Sequence, residues 1–257
     1  MRLSFDAIAE KFDAQRSLPR EALLAWMLLV EELAQGQLLE IIEPGIGTGR
    51  IALPLAARGH HVTGTDISLQ MLAACRELGE GLPLRLVEAD ATDLPFQDAE
   101  FQVGVIAQLL YLVPDWTTAL DELARVVQPG GHIIHLSEPT TEGEALQKWS
   151  STWRTMIEET GFRHQAFTPT EDDVRAEMLR RWPDVEVRPL ASWQFGQTVG
   201  SAMANYGERL RPLYATVDVD IFDRTVNRFL DWAAQEFPDP SENLGGKVTL
   251  TATIAFT

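Results

Sequence analysis

The chain has 257 residues, 45% of them hydrophobic, which is enough for one sizeable core. Its 38 Asp and Glu residues outnumber 21 Lys and Arg residues, and no basic cluster occurs, so neither nucleic acid nor an anionic membrane is an expected partner. A single cysteine, an acidic N-terminus unlike a secretion signal, and apolar runs too short to span a bilayer predict a soluble cytoplasmic protein.

Strand-like and helix-like runs alternate between residues 37 and 137, which predicts crossover units and a parallel sheet. Ser68 and Asp115 are the predicted N-caps of two of the helices, Pro54 is an awkward residue inside another, and the Pro-Gly-Gly at 129–131 predicts a sharp turn. The predicted strands are 38–43, 60–66, 84–90, 101–110 and 132–138, and the predicted helices are 50–59, 68–78 and 115–127.

The second half of the chain is mostly helical by its pattern, over 142–182 and 198–236, with a strand predicted at 185–195. Apolar residues alternate with Lys and Thr in the final KVTLTATIAF, and this period of two favours an antiparallel or edge strand. Five of the seven tryptophans lie in this half, which indicates either a buried helical core or an apolar acceptor pocket.

Three glycines follow the first predicted strand, in the stretch IIEPGIGTGRIALPL. A glycine turn lets the backbone approach a ligand, but it also serves simple chain reversal. Acidic residues follow three neighbouring strands, as Glu43, Asp66 and Asp90. Each alone fits a helix cap, whereas three at the carboxyl edge of one parallel sheet favour a nucleoside site.

The glycine spacing excludes two phosphate-binding patterns. Arg50 stands where a dinucleotide fingerprint has its third glycine, and no Lys-Ser/Thr pair follows the loop. Asp66, at the end of the second strand, is still the expected acceptor for two ribose hydroxyls. With these features, residues 38–137 resemble a class I S-adenosylmethionine-dependent methyltransferase of the small-molecule type. The stretches that carry this resemblance are LEIIEPGIGTGRIALPLAARGHHVTGTDIS, VEADATDLPFQDAEFQVGVIAQLLYLVPD and ALDELARVVQPGG.

The resemblance implies an α/β, doubly wound, mostly parallel seven-stranded sheet with an antiparallel last strand, helices on both faces and a helical lid. It also implies S-adenosylmethionine as cofactor. Glu43, Gly45 and Gly47 would meet its methionine part, Asp66 the ribose, Ile67, Met71, Asp90 and Ala91 the adenine, and Gln108 and Leu109 the methyl end. Relatives often have Asp where this chain has Gln102.

Methyl transfer from a sulfonium needs alignment and dryness more than a strong base. Two candidate catalytic residues follow. Relatives frequently have an aromatic residue or His at the position of Tyr111, beside the transferring methyl, and His135, on the fifth strand, is a candidate base by position. Each also fits a packed side chain. No His/Asp/Glu cluster has metal-site spacing, so we expect no catalytic metal. The expected partner is a small-molecule acceptor; its identity and the oligomeric state stay open.

The chain is expected to form one compact domain with an N-terminal helical cover at 1–36, a cofactor-binding core at 37–138, a helical lid insertion at 139–183, and terminal hairpin strands at 184–257 that enclose a second insertion at 196–245. Two other functions stay open on the sequence. One is a nicotinamide-dependent oxidoreductase, and the other is a non-catalytic protein that binds S-adenosylmethionine.

Overall fold

The computed structural model describes residues 18–162, 169–204, 206–210, 214 and 217–257. Most of the predicted N-terminal cover at 1–36 therefore lies outside the described residues, apart from its last helix. The described chain forms two compact units, which we treat separately.

Eight strands and nine α-helices occur among the described residues. In chain order they are α1 Arg20–Ala34, β1 Glu40–Pro44, α2 Leu53–Ala56, β2 His61–Asp66, α3 Leu69–Leu78, β3 Leu84–Glu88, β4 Phe101–Ala107, α4 Trp116–Val126, β5 Val127–Ser137, β6 Thr140–Glu142, α5 Glu144–Glu158, α6 Glu171–Arg181, β7 Val185–Phe195, α7 Val199–Met203, α8 Tyr206–Leu210, α9 Val219–Glu236 and β8 Gly246–Phe256. A short 3₁₀ turn, Leu110–Leu112, follows β4.

The strands form one sheet in the order β3-β2-β1-β4-β5-β8-β6, and β7 also pairs with β8. The first five strands are parallel, and β8 runs antiparallel to β5. The predicted fold class is thus confirmed. The sheet has eight strands rather than seven because the short β6, at 140–142, pairs with the start of β8 in a segment predicted as helical.

The first unit comprises Met1–Pro139, Phe167–Ser192 and Thr249–Thr257, and it holds the parallel part of the sheet. Central strands are buried on both sides, as Ile41 and Ile42 of β1 show. Helix α4 closes one face with Leu120 and Leu123, whose side chains are fully buried. Trp26 of α1 is also fully buried, and its indole N–H donates to the carbonyl of Ile51 at 3.1 Å.

The second unit comprises Thr140–Ala166 and Trp193–Val248, and aromatic side chains fill its core. Trp153 lies edge-on to Tyr206 and Phe229, and its indole N–H donates to the Tyr214 hydroxyl at 2.9 Å. Trp149 packs edge-on against Phe229 as well. Because these side chains pack against one another, the structure favours a packed helical core over an aromatic acceptor pocket here.

The two units do not follow the predicted segments. Helix α6, placed by the sequence in one insertion with α5, belongs to the first unit, because Val174 and Met178 pack into the core beside α4. The sequence predicted one compact domain overall, and the chain divides into two compact units. A covering role of the helical insertions stays a prediction.

The structure confirms the two predicted N-caps but differs from the predictions made at two prolines. Ser68 accepts from the amide of Met71 at 3.2 Å, and Asp115 accepts from that of Thr118 at 3.4 Å, which confirms both N-caps. Pro54 shortens the predicted helix at 50–59 because it lies in the first turn of α2. The Pro-Gly-Gly at 129–131 lies within β5, beside a register irregularity, rather than in a sharp turn.

Candidate functional site

A cavity of about 320 Å³ opens at the carboxyl ends of β1 to β4, within the first unit. Its lining comes from the segments that follow four neighbouring strands, in the spatial order β3, β2, β1, β4. Neighbouring strands lie about 4.8 Å apart, so the ends of these four span about 14 Å. This elongated outline suits an extended ligand with different groups along its length.

All the residues predicted to bind the cofactor line this cavity. They are Glu43, Gly45, Gly47, Asp66, Ile67, Met71, Asp90, Ala91, Gln108 and Leu109, and the predicted catalytic Tyr111 lies with them. The sequence analysis assigned no role to several other lining residues, including Thr48, Arg50, Leu112, Val113 and Pro114. The sequence could have indicated Arg50 as a lining residue, because it directly follows the glycine motif.

The three glycines of the loop all have positive φ angles, but they serve different purposes. A Cβ on Gly45 would lie 2.6 Å from Leu109, and one on Gly49 would lie 2.5 Å from Leu53. A Cβ on Gly47 would meet no protein atom within 4 Å. Gly45 and Gly49 thus allow close packing of the chain, whereas Gly47 leaves space open on the cavity side.

Asp66 ties the glycine loop to the end of β2. One carboxylate oxygen accepts from the amide of Gly47 at 3.0 Å, and the other accepts from the amide of Ser68 at 2.9 Å. Helix α3 is capped by Ser68 and not by Asp66. A carboxylate can accept about four hydrogen bonds, which is more than these two amides supply.

Asp90 organises the turn after β3. Its Oδ1 accepts from both the amide and the hydroxyl of Thr92, at 3.0 and 2.8 Å. Ile67 stays 47% exposed while Met71 is buried, so the two present apolar surface beside this acid at different depths of the cavity wall. The combination of an acid and flat apolar surface suits a heterocyclic base.

Glu43 is an acid of the site whose pKa is strongly raised. Its side chain is buried, and its Oε2 has no hydrogen-bond partner among the described residues. Burial raises the pKa of Glu43 to about 8, against a smaller lowering by Arg50. A buried, unsatisfied carboxyl in a cavity wall indicates a ligand donor, because such groups are costly to leave unpaired.

The segment after β4 forms the opposite, apolar end of the cavity. Gln108 has φ +54°, a left-handed backbone that is uncommon outside glycine. This turn brings Leu109 against Gly45 and starts the 3₁₀ turn that holds Tyr111. Strain of this kind clusters at ligand sites, since the surrounding structure has to maintain it.

His135 is not among the residues that line the cavity. Its imidazole is buried on β5, with Nδ1 3.7 Å from a carboxylate oxygen of Glu171, and burial lowers the pKa of His135 to about 4. The structure therefore places it as a neutral core histidine rather than beside Tyr111. Gln102 is also remote from the site, because its side chain accepts from the amide of Glu40 at the opposite end of β1.

Residues 42–135 match the family model described as a methyltransferase domain. The chain carries a methyltransferase domain. A demethylmenaquinone methyltransferase of Thermus thermophilus is 38% identical over 141 residues, covering 52% of this chain and 64% of that protein. A phosphatidylethanolamine N-methyltransferase of Cereibacter sphaeroides is 38% identical over 98 residues, covering 37% and 48%. The chain thus spans less than two thirds of either relative.

A solved N-methyltransferase of Haemonchus contortus, in complex with S-adenosylhomocysteine, has the same fold, with a TM-score of 0.56 at 15% identity over 98% of this chain and 57% of that one. The resemblance to class I S-adenosylmethionine-dependent methyltransferases is confirmed for the domain. The site also fits this cofactor physically. Gly47 leaves room for a ligand, and Glu43 presents an unsatisfied acceptor that suits an ammonium group.

In the part of the chain that the structure describes, no group of three or more His, Cys, Asp or Glu side chains could hold a metal ion. Within the same residues, every helix is too short or too polar to cross a bilayer.

Proposed function

We propose that the protein transfers the methyl group of S-adenosylmethionine to a small-molecule acceptor. The observation that carries this proposal is the single elongated cavity lined, in strand order, by Asp90, Asp66, Glu43 and the segment 108–111. S-adenosylmethionine, when bound, supplies a methyl group already activated on a sulfonium. The protein's part is then to bind, align and exclude water.

Each acidic residue binds a different part of the cofactor. Asp90 and the apolar surface of Ile67 and Met71 hold the adenine, and Asp66 accepts from the ribose hydroxyls. Glu43 accepts from the ammonium of the amino-acid arm, which passes the open space at Gly47. The order of these contacts along the cavity directs the methyl end of the cofactor toward the segment after β4.

The acceptor's side of the cavity is apolar. Leu109, Leu112, Val113 and Pro114 line it, and the Tyr111 ring lies among them. This surface favours an acceptor with an apolar body, and the names of the two curated relatives refer to two different acceptors, so they support the class rather than an identity. Tyr111 is the side chain placed to orient the acceptor's nucleophilic atom.

The two other functions that the sequence left open carry less support. A nicotinamide-dependent oxidoreductase disagrees with the methyltransferase family match and with Arg50 at the third glycine position. A non-catalytic binding protein shares the cofactor contacts and differs only in having no acceptor. The acidic composition and single cysteine also support a cytoplasmic location.

Calorimetry with S-adenosylhomocysteine and NAD is the first test. We expect S-adenosylhomocysteine to bind and NAD to give no heat, and the reverse result would overturn the proposal. The second test follows labelled methyl transfer from S-adenosylmethionine to a panel of demethylated quinols, phenols and amines. Tyr111→Phe is expected to lower kcat while leaving the affinity for S-adenosylhomocysteine unchanged. Binding of S-adenosylhomocysteine without transfer to any panel member would favour the non-catalytic function.

A further inference from the structure

Arg50 lies on the cavity wall, but its ion-pair partner lies elsewhere. Its Nη2 is 2.6 Å from a carboxylate oxygen of Glu138, the residue after β5, and both side chains are about one-fifth exposed. Among the ion pairs of the described residues, Arg50 pairs with Glu138 and not with Glu43. Arg50, the cation that lowers the pKa of Glu43, is thus engaged by another acid.

Glu43 itself is surrounded by few charged groups. Arg50, on the glycine loop, favours its ionised form, and Asp66, at the end of β2, opposes it. Asp66 already accepts from the amides of Gly47 and Ser68. Behind Arg50, Glu138 faces Glu171 of α6, whose pKa is raised by burial and by the acids Asp172 and Glu138.

We propose that Glu138 is a positioning residue that holds Arg50 away from Glu43, so that Glu43 stays protonated until the ammonium group of the cofactor binds and takes the place of its proton. The inference rests on the proposed function, because it requires a ligand with an amino-acid arm. Without Glu138, the Arg50 guanidinium loses this carboxylate partner and turns toward Glu43, where it competes with the ammonium.

The step balances as a proton release. The Glu43 carboxylic acid loses its proton to the buffer, and the resulting carboxylate accepts a hydrogen bond from the ligand's ammonium, which keeps its own protons. The geometry supports this, because Oε2 of Glu43 is buried without a hydrogen-bond partner among the described residues, and Glu43 lines the cavity. The pKa of about 8 means that Glu43 is mostly protonated at pH 7.

The first experiment measures protons on the wild-type protein. S-adenosylhomocysteine is titrated at pH 7 in phosphate and in Tris, whose ionisation enthalpies differ, so the difference in heat counts the protons released. We expect about one proton per ligand bound. 5′-deoxy-5′-methylthioadenosine, which keeps the adenosine and lacks the amino-acid arm, is expected to release none. Equal heats of S-adenosylhomocysteine binding in both buffers, or equal proton release by both ligands, would overturn the proposal.

The second experiment compares Glu138→Gln with Glu100→Gln. Glu100 also pairs with an arginine of the first unit, but this arginine, Arg85, lies outside the cavity lining, whereas Arg50 is part of it. In Glu138→Gln we expect less than half of the wild-type proton release and an affinity for S-adenosylhomocysteine lowered about tenfold. Glu100→Gln is expected to match the wild type in both.

Each outcome has one meaning. Wild-type affinity and proton release in Glu138→Gln would refute the role of Glu138, and the same losses in Glu100→Gln would show a general charge effect and refute it too. Should Glu138→Gln not fold, the comparison of the two ligands on the wild type still decides whether binding of the amino-acid arm releases a proton, and no release would refute the proposal. Failure of the proposed function is distinct, because S-adenosylhomocysteine would then give no binding heat in any buffer.

Discussion

The Asp66 carboxylate accepts a hydrogen bond from the amide of Gly47 at 3.0 Å, so the acid at the end of β2 also supports the glycine loop that follows β1. The same side chain accepts from Ser68 on the other side. An acid with two backbone partners is held in one orientation, which prepares its remaining acceptor positions for a ligand. The structural role of Asp66 and its proposed binding role therefore depend on the same carboxylate.

Asp66→Ala is expected to weaken S-adenosylhomocysteine binding by about 100-fold or more, because two hydrogen bonds to a charged acceptor are lost, each worth roughly 1.5–3 kcal/mol. The free energy of unfolding should fall by a smaller amount, since two amides lose their acceptor. Calorimetry and urea unfolding measure the two losses.

Asp218→Ala is the matched control, because Asp218 also accepts from two backbone amides, those of Asp220 and Ile221, in the second unit. It should lose stability and keep wild-type affinity. Equal affinity losses in the two variants would show that Asp66 acts only through folding.

Gly47→Ala tests the open space on the loop. Both Gly47, at φ +56°, and Gly36, at φ +82°, have positive φ, and an added Cβ would touch no protein atom at either. Left-handed backbone costs alanine about 1 kcal/mol at either position, so the two variants should be similarly destabilised in urea unfolding. Only Gly47→Ala should lose affinity for S-adenosylhomocysteine, by about tenfold or more. An unchanged affinity would place the ligand away from the loop.

Glu43→Gln should change how stability depends on pH. The pKa of Glu43 is about 8 in the folded protein and near 4.5 when it is unfolded, so the native state binds more protons between these values. Wild-type stability should therefore fall as the pH rises through this window. Glutamine does not titrate, so the Tm of Glu43→Gln minus that of the wild type should be larger at pH 8.5 than at pH 5.5. A constant difference would mean that Glu43 titrates near its ordinary pKa.

Trp153→Ala tests whether the tryptophans of the second unit form its core. Trp153 is 5% exposed and donates to Tyr214, so its removal should cost about 3–5 kcal/mol of unfolding free energy. Trp193→Ala is the comparison, because Trp193 is less buried and should cost clearly less. Chemical denaturation followed by circular dichroism measures both. Equal small costs would reopen the interpretation of these tryptophans as a ligand surface.

The sequence by itself determined the class of the fold and many of the residues that line the cavity. Alternation of strand and helix patterns sets a parallel sheet, and in such a sheet the residues after each strand meet at one edge. Glu43, Asp66 and Asp90 therefore came together as expected, with Gly47 beside them. These inferences are local or follow from strand order, which is why they needed no coordinates.

Only the tertiary structure decided the environment of each side chain. Burial and missing partners come from residues far apart in the chain, as with the unsatisfied oxygen of Glu43 and the Arg50–Glu138 pair across 88 positions. The same holds for His135, which lies on the right strand but is buried away from the cavity lining. Strand position specifies the edge of the sheet, whereas packing against other elements decides which side chains reach the ligand and in which protonation state.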